Sequence, residues 1–186
     1  QASQKTYQLQ PGKTTLSVPL SNTPDKGLAM TKTYTFTRSQ YDIQLNQSVK
    51  NRGQQPWRGG FYQQISRRDV PSTTQQVRSF NGASLSSPSN PYQKITYKNL
   101  SKESINQTIS KGWIAMQQPY FLAAWIPSTT EPLHYFSHVD RNNDSEHPVY
   151  IVGYVSSQQT LKSGASSSFL SRLYVGPEVA SNLKPL

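Results

Sequence analysis

Gly112-Trp113-Ile114-Ala115-Met116-Gln117-Gln118-Pro119-Tyr120-Phe121-Leu122-Ala123-Ala124-Trp125-Ile126-Pro127 is the most hydrophobic stretch of this 186-residue chain. It reads as two strand-length apolar pieces, with Pro127 closing the second. Trp113 and Trp125 are expected to pack in a core, and the whole stretch with them. Pro119 has no N–H for a ladder, so a bulge or a strand edge is expected between the pieces. The unbroken apolar run, Phe121 to Ile126, reaches only seven residues when Tyr120 is counted. A membrane-spanning helix needs about 20.

Outward from this stretch, alternation dominates. Leu16, Val18 and Leu20 share one face of a strand, as do Tyr34 and Phe36, with Thr33, Thr35 and Thr37 opposite. Tyr41, Ile43, Leu45 and Val49 repeat the half-buried pattern, and Ile95 and Tyr97 continue it. From Val149 to Val155 both faces are apolar, which predicts a central strand covered on both sides. Gly153 within it suggests a bulge or a close approach. Turn signals such as Pro11-Gly12, Asn51-Arg52-Gly53 and Ser163-Gly164 separate the runs. Strands so punctuated, about 8–12 residues apart, predict an all-β antiparallel sandwich. Helical periodicity is weak, with a short turn of helix expected near Ser101 to Asn106. A second helix is expected at the end, where Pro177 suits a first helical turn before Glu178, Val179, Ala180 and Leu183.

Thirteen prolines and ten glycines fit frequent turns, and eleven tyrosines favour strands. The absence of cysteine removes disulfides, Cys-ligated zinc and thiol nucleophiles. The first residue is Gln1, so the chain is expected to be processed or cut from a longer one. The net charge of +10 raises the prospect of an anionic partner, although the basic residues are scattered.

Catalytic chemistry is hard to find. His134 and His138 stand four apart, but Pro132, Tyr135 and Phe136 do not read as the helix a zinc pair would want. Glu131, Asp140, Asp144 and Glu146 cluster near the three histidines, yet Asp140-Arg141-Asn142-Asn143-Asp144-Ser145 reads as an exposed turn. No nucleophile elbow and no phosphate-cradling glycine loop occur. Trp57-Arg58-Gly59-Gly60-Phe61-Tyr62 interleaves aromatics with a base, as nucleic-acid binders do, but equally describes a turn whose aromatics enter the core. No catalytic, metal or cofactor-binding residue is expected, and no nucleic-acid partner.

The opening stretch closely resembles the G-W-x-A-M-x-Q-x-Y-F-x-x-A-W-I-P signature of the periplasmic domain of YidC-type membrane-protein insertases. Trp113, Tyr120, Phe121, Trp125 and Pro127 are its landmark positions. Further pieces agree in order: Phe36-Thr37-Arg38-Ser39-Gln40-Tyr41-Asp42-Ile43, Phe80-Asn81-Gly82-Ala83 and Leu173-Tyr174-Val175-Gly176-Pro177-Glu178. The resemblance implies a β-supersandwich akin to galactose-mutarotase-like sugar-binding domains, over residues 1–175. It also implies a helical connector over 176–186 that leads toward a membrane core. Family domains carry more residues before the F-x-R strand than the 35 found here, so an N-terminally truncated sandwich is expected.

The function implied is that of a non-catalytic periplasmic domain, with no cofactor, of a multi-pass inner-membrane insertase and chaperone. That protein inserts membrane proteins alone or beside the Sec translocon. The implied partners are Sec translocon subunits and nascent inner-membrane proteins, with the isolated domain a monomer on the periplasmic face. Partner contact is expected in the irregular segment from Gly53 to Tyr92, through Arg58, Arg67, Arg68 and Arg78. Gly176 and Pro177 are expected to end the last strand and act as a hinge. The alternative is a sugar-binding or sugar-active sandwich, with His134, His138 and Glu131 as its candidates.

Overall fold

The computed structural model describes residues 1–23, 27–68, 80–141 and 146–178. The chain builds strands β1 (Thr15–Asn22), β2 (Leu28–Thr37), β3 (Asp42–Asn51), β4 (Trp57–Gly59), β5 (Tyr62–Arg68), β6 (Gly82–Leu85) and β7 (Gln93–Thr96). Helix α1 (Tyr97–Lys102) follows, then β8 (Asn106–Ile109), β9 (Ile114–Gln117), β10 (Phe121–Pro127), β11 (Leu133–Asp140), β12 (Val149–Val155), β13 (Gln159–Leu161) and β14 (Ser166–Pro177).

Two sheets carry the fold. The larger has the order β1-β2-β3-β14-β10-β9-β6-β7, the smaller β5-β12-β11-β8, and β13-β4 forms a two-stranded ribbon. Every pairing is antiparallel. The core lies between the sheets. Leu45, Leu85, Ile114, Met116 and Trp125 of the large sheet meet Tyr135, Tyr150, Val152 and Tyr154 of the small one. Burial pushes the Tyr135 and Tyr154 phenols well above the usual tyrosine range. Tyr135 donates its hydroxyl to the Gly112 carbonyl at 2.7 Å, which anchors the start of the signature stretch.

The small sheet crosses the large one. Gln63 of β5 bonds Gln47 of β3 and reaches Ser171 of β14, the Gln64 carbonyl meets Trp125 of β10, and Arg67 meets Gln117 of β9. Strand β5 therefore runs across the large-sheet strands, as in orthogonal sandwiches. Gln47 and Gln63 are buried, and burial without partners would be costly, so their mutual bond fixes where β5 sits. Asn51 does the same for the ribbon: its amide donates to the Gln55 and Leu161 carbonyls, and its carbonyl accepts from the Gly53 N–H.

Several expectations change in detail. β12 is central in its sheet, with Tyr150, Val152 and Tyr154 buried, but Val149, Ile151 and Val155 are only half-buried, so one face is fully covered rather than two. Tyr97 does not extend β7. It opens α1, because the Thr96 hydroxyl caps the helix by accepting from the Asn99 N–H at 3.2 Å. The short helix thus begins earlier than the Ser101–Asn106 turn. β14 runs through Gly176 and Pro177, which pair with Leu122 and Phe121, so the strand does not stop where a hinge was expected. The sandwich accordingly extends past residue 175, and the expected terminal helix beyond Glu178 lies outside the described residues.

Candidate functional site

A cleft of about 690 Å³ opens where the large sheet projects beyond the β5 edge. Period-two alternation explains its apolar wall. Phe121 and Ala123 face the same way as Trp125, and Val175 the same way as Leu173. Trp125 and Leu173 lie under the small sheet in the core. Phe121 and Val175 lie past its edge and stay 57% and 48% exposed. Ile65 and Arg67 of β5 form the opposite wall, Met116 lines the cleft from β9, and Tyr41 stands at its side.

Five hydrogen bonds hold this geometry. The Trp125 indole N–H donates to the Gln64 carbonyl at 3.1 Å and seats β5 on the large sheet. Gln117, 1% exposed, satisfies its amide completely: its carbonyl accepts from the Ser84 hydroxyl, and its NH₂ donates to Tyr92 Oη at 2.6 Å and Glu178 Oε1 at 3.0 Å. Its backbone carbonyl accepts from Arg67 Nη1 at 3.2 Å, which aims that guanidinium along the cleft wall.

Hydrogen bonds tie down the end of β14. The Glu178 N–H donates to the Tyr120 carbonyl at 2.9 Å, and Tyr174 Oη donates to the Pro177 carbonyl at 2.6 Å. A Cβ on Gly176 would come within 2.6 Å of the Tyr41 ring. Glycine is needed here for that close approach; the positive-φ glycines are Gly12, Gly27 and Gly164.

The arginines expected to act together are dispersed. Arg67 lines the cleft. Arg58 sits exposed on β4 in the separate ribbon, and Arg68 at the end of β5 does not line the cleft. Arg78 lies outside the described residues. The signature residues divide as well. Trp125 is core, Trp113 half-buried against Tyr92, and Pro127 ends β10 half-buried. Tyr120 and Phe121 are not core, at 64% and 57% exposed. Phe121 lies past the edge of the small sheet, and Tyr120 owes its exposure to Pro119. Pro119 sits second in the connection Gln118–Phe121, closed by a Gln118 N–H bond to the Phe121 carbonyl, which lifts Tyr120 to a hairpin tip. Sequence reading missed Tyr41, Ile65, Met116, Ala123 and Val175 as cleft walls; an aromatic pair directly after Pro119 was the one available signal.

His134 and His138 stand on the face of β11 opposite buried Leu133, Tyr135 and Ser137. Glu131 borders a different hollow with Pro132 and Phe169. Among the described residues no three His, Asp or Glu side chains gather as metal ligands would, and no helix is long and apolar enough to cross a membrane.

A sequence profile described as YidC periplasmic domain matches residues 1–186. A membrane protein insertase YidC of Coxiella burnetii (strain RSA 331) is 46% identical over 189 residues, covering 100% of this chain and 33% of the relative. One from Marinobacter nauticus is 33% identical over 190 residues, covering 100% and 32%. The chain spans about a third of the length of these curated relatives. Among solved structures, a GH36 alpha-galactosidase from Geobacillus stearothermophilus superposes with TM-score 0.61 at 9% identity, over 92% of this chain and 25% of that one. A galactose mutarotase related enzyme from Lactobacillus acidophilus gives 0.58 at 8%, over 94% and 70%. At such identities the likeness is one of fold: a galactose-mutarotase-like β-sandwich.

Proposed function

The chain belongs to the YidC periplasmic domain family, and on that premise we propose that it is a non-catalytic contact domain of a membrane-protein insertase on the periplasmic face of the bacterial inner membrane. Its cleft takes up extended, apolar stretches of nascent inner-membrane proteins, and its exposed surface meets Sec translocon subunits. The observation that carries this reading is the uncovered inner face of the large sheet beside the β5 edge. Phe121, Ala123, Val175, Ile65 and Met116 offer apolar contacts for alternate side chains of a strand-like guest. An edge strand offers N–H and C=O groups to such a guest, and Ser66 brings this edge into the cleft. Arg67 supplies one cation for a carboxylate or carbonyl in the guest.

A sugar-active role has less support. It needs a His/Glu pair lining a cleft, and neither His134, His138 nor Glu131 enters this one.

The test is binding of a fluorescently labelled apolar peptide to the isolated chain. Ala123→Glu sets a carboxylate on the apolar wall and is expected to weaken binding at least tenfold, or about 1.4 kcal/mol. Thr33→Glu, on the other face of the large sheet, should leave it unchanged. Equal affinities for all three proteins, or no binding by the unsubstituted chain, would remove the proposal.

A further inference from the structure

One end of the large sheet gathers most of the exposed aromatic surface. The antiparallel order sets the end of β2, the start of β3, the end of β14 and the start of β10 side by side. Phe36 (40% exposed), Tyr41 (48%), Tyr120 (64%), Phe121 (57%) and Val175 (48%) all lie there. Backbone bonds tie them together: the Val175 N–H donates to the Tyr41 carbonyl at 3.1 Å, and the Glu178 N–H to that of Tyr120. Exposed apolar groups so concentrated mark a contact surface. Tyr120 does not line the cleft. It stands at the hairpin tip, where a peptide seated in the cleft gives it no partner.

Basic residues flank the same end. The Arg38 N–H donates to the Thr14 carbonyl at 2.8 Å, which brings Arg38 beside Lys13, and both are exposed. The acids nearby are engaged: Asp42 pairs with Arg172 at 3.7 Å, and Glu178 accepts from Gln117. Tyrosine rings with cations beside them suit a bilayer interface, where the ring bodies sit among acyl carbons and the hydroxyls and ammonium groups meet headgroups.

We propose that this aromatic end of the sandwich rests on the bilayer, with Tyr120 and Phe121 in the interface and Lys13 and Arg38 against anionic phospholipid headgroups. The cleft then opens toward the membrane surface, where an apolar segment leaves the lipid. The inference shares family membership with the proposed function, but it does not need the cleft to bind peptide.

Co-sedimentation with phosphatidylcholine vesicles, with and without phosphatidylglycerol, tests it. The chain is expected to bind the phosphatidylglycerol vesicles, and less so as salt rises. Tyr120→Ser with Phe121→Ser should lower vesicle affinity at least tenfold, with the near-UV circular dichroism otherwise unchanged. Lys13→Gln with Arg38→Gln should abolish the preference for phosphatidylglycerol. Leu170→Ser, which removes an apolar side chain 48% exposed on the outer sheet face, should change nothing. No binding to phosphatidylglycerol vesicles, or an equal loss with Leu170→Ser, would overturn the proposal. So would a Tyr120→Ser, Phe121→Ser variant that keeps its vesicle affinity while losing the apolar peptide, since the surface would then serve polypeptide alone. Vesicle binding without peptide binding would instead sink the cleft reading and leave this one standing.

Discussion

Trp125→Ala is expected to lower the unfolding free energy by about 3–5 kcal/mol. The indole is 7% exposed and packs in the main core between the two sheets. Removing it loses the transfer free energy of a large ring and leaves a cavity that the crossing strands cannot easily close. It also removes the donor to the Gln64 carbonyl, the bond that seats β5. Two measurements separate these contributions. Trp125→Phe keeps much of the volume but drops the N–H, and should cost about 1–3 kcal/mol by urea unfolding. A shift below about 1 kcal/mol for Trp125→Ala would mean that the two sheets are held together elsewhere.

The second large effect is expected at Gly153, in the middle of β12. A Cβ there would lie 2.2 Å from the Gln63 carbonyl oxygen and 3.0 Å from both Gln64 Cα and the Phe136 ring. The first two are backbone atoms of the paired strand, so no rotamer change relieves the contact. β5 must move, and the buried Gln63–Gln47 bond moves with it. Gly153→Ala should therefore cost about 3 kcal/mol, at the upper end for overpacking. Because β5 is one wall of the cleft, the same variant should weaken peptide capture at temperatures where it remains folded. A stable Gly153→Ala protein with an unchanged urea midpoint would show that β5 is not confined as described.

Much of this fold was readable from alternation. The spacing-two residues of β3 and the paired apolar faces of β12 are strand signals that survive without tertiary information. Of the bulge or close approach that Gly153 suggests in the sequence, the close approach is present, and β12 pairs with β5 in unbroken register. Alternation does not say how far the opposing sheet extends. Phe121 and Trp125 lie on the same face of one strand, yet Trp125 is buried and Phe121 is 57% exposed, because the small sheet ends between them. The signature stretch, taken whole as core, is buried over most of its length and exposed only from Gln118 to Phe121, at the hairpin turn and the first residue past the small sheet. The segment from Gly53 to Tyr92 looked irregular because Ser, Gln and Arg dilute its apolar residues. Within it β5 is a regular seven-residue strand whose inward side chains are Gln63, Ile65 and Arg67. Two polar groups facing inward hide a strand from a hydrophobicity pattern. The cleft was legible only in the aromatic pair after Pro119. Its walls come from Tyr41 just before β3, from β5, β9 and β10, and from the end of β14, which only the crossing of the sheets brings together.

Site-specific photo-crosslinking in the full-length insertase, during insertion in cells, tests the central claim most directly. Probes would replace Ile65, Ala123 and Val175 in the cleft, with Thr33 and His134 on outer sheet faces as references. Crosslinks to nascent membrane proteins concentrated at the three cleft positions are the result expected of a contact domain. Crosslinks spread equally over cleft and outer faces, or none at any position while insertion proceeds, would contradict it.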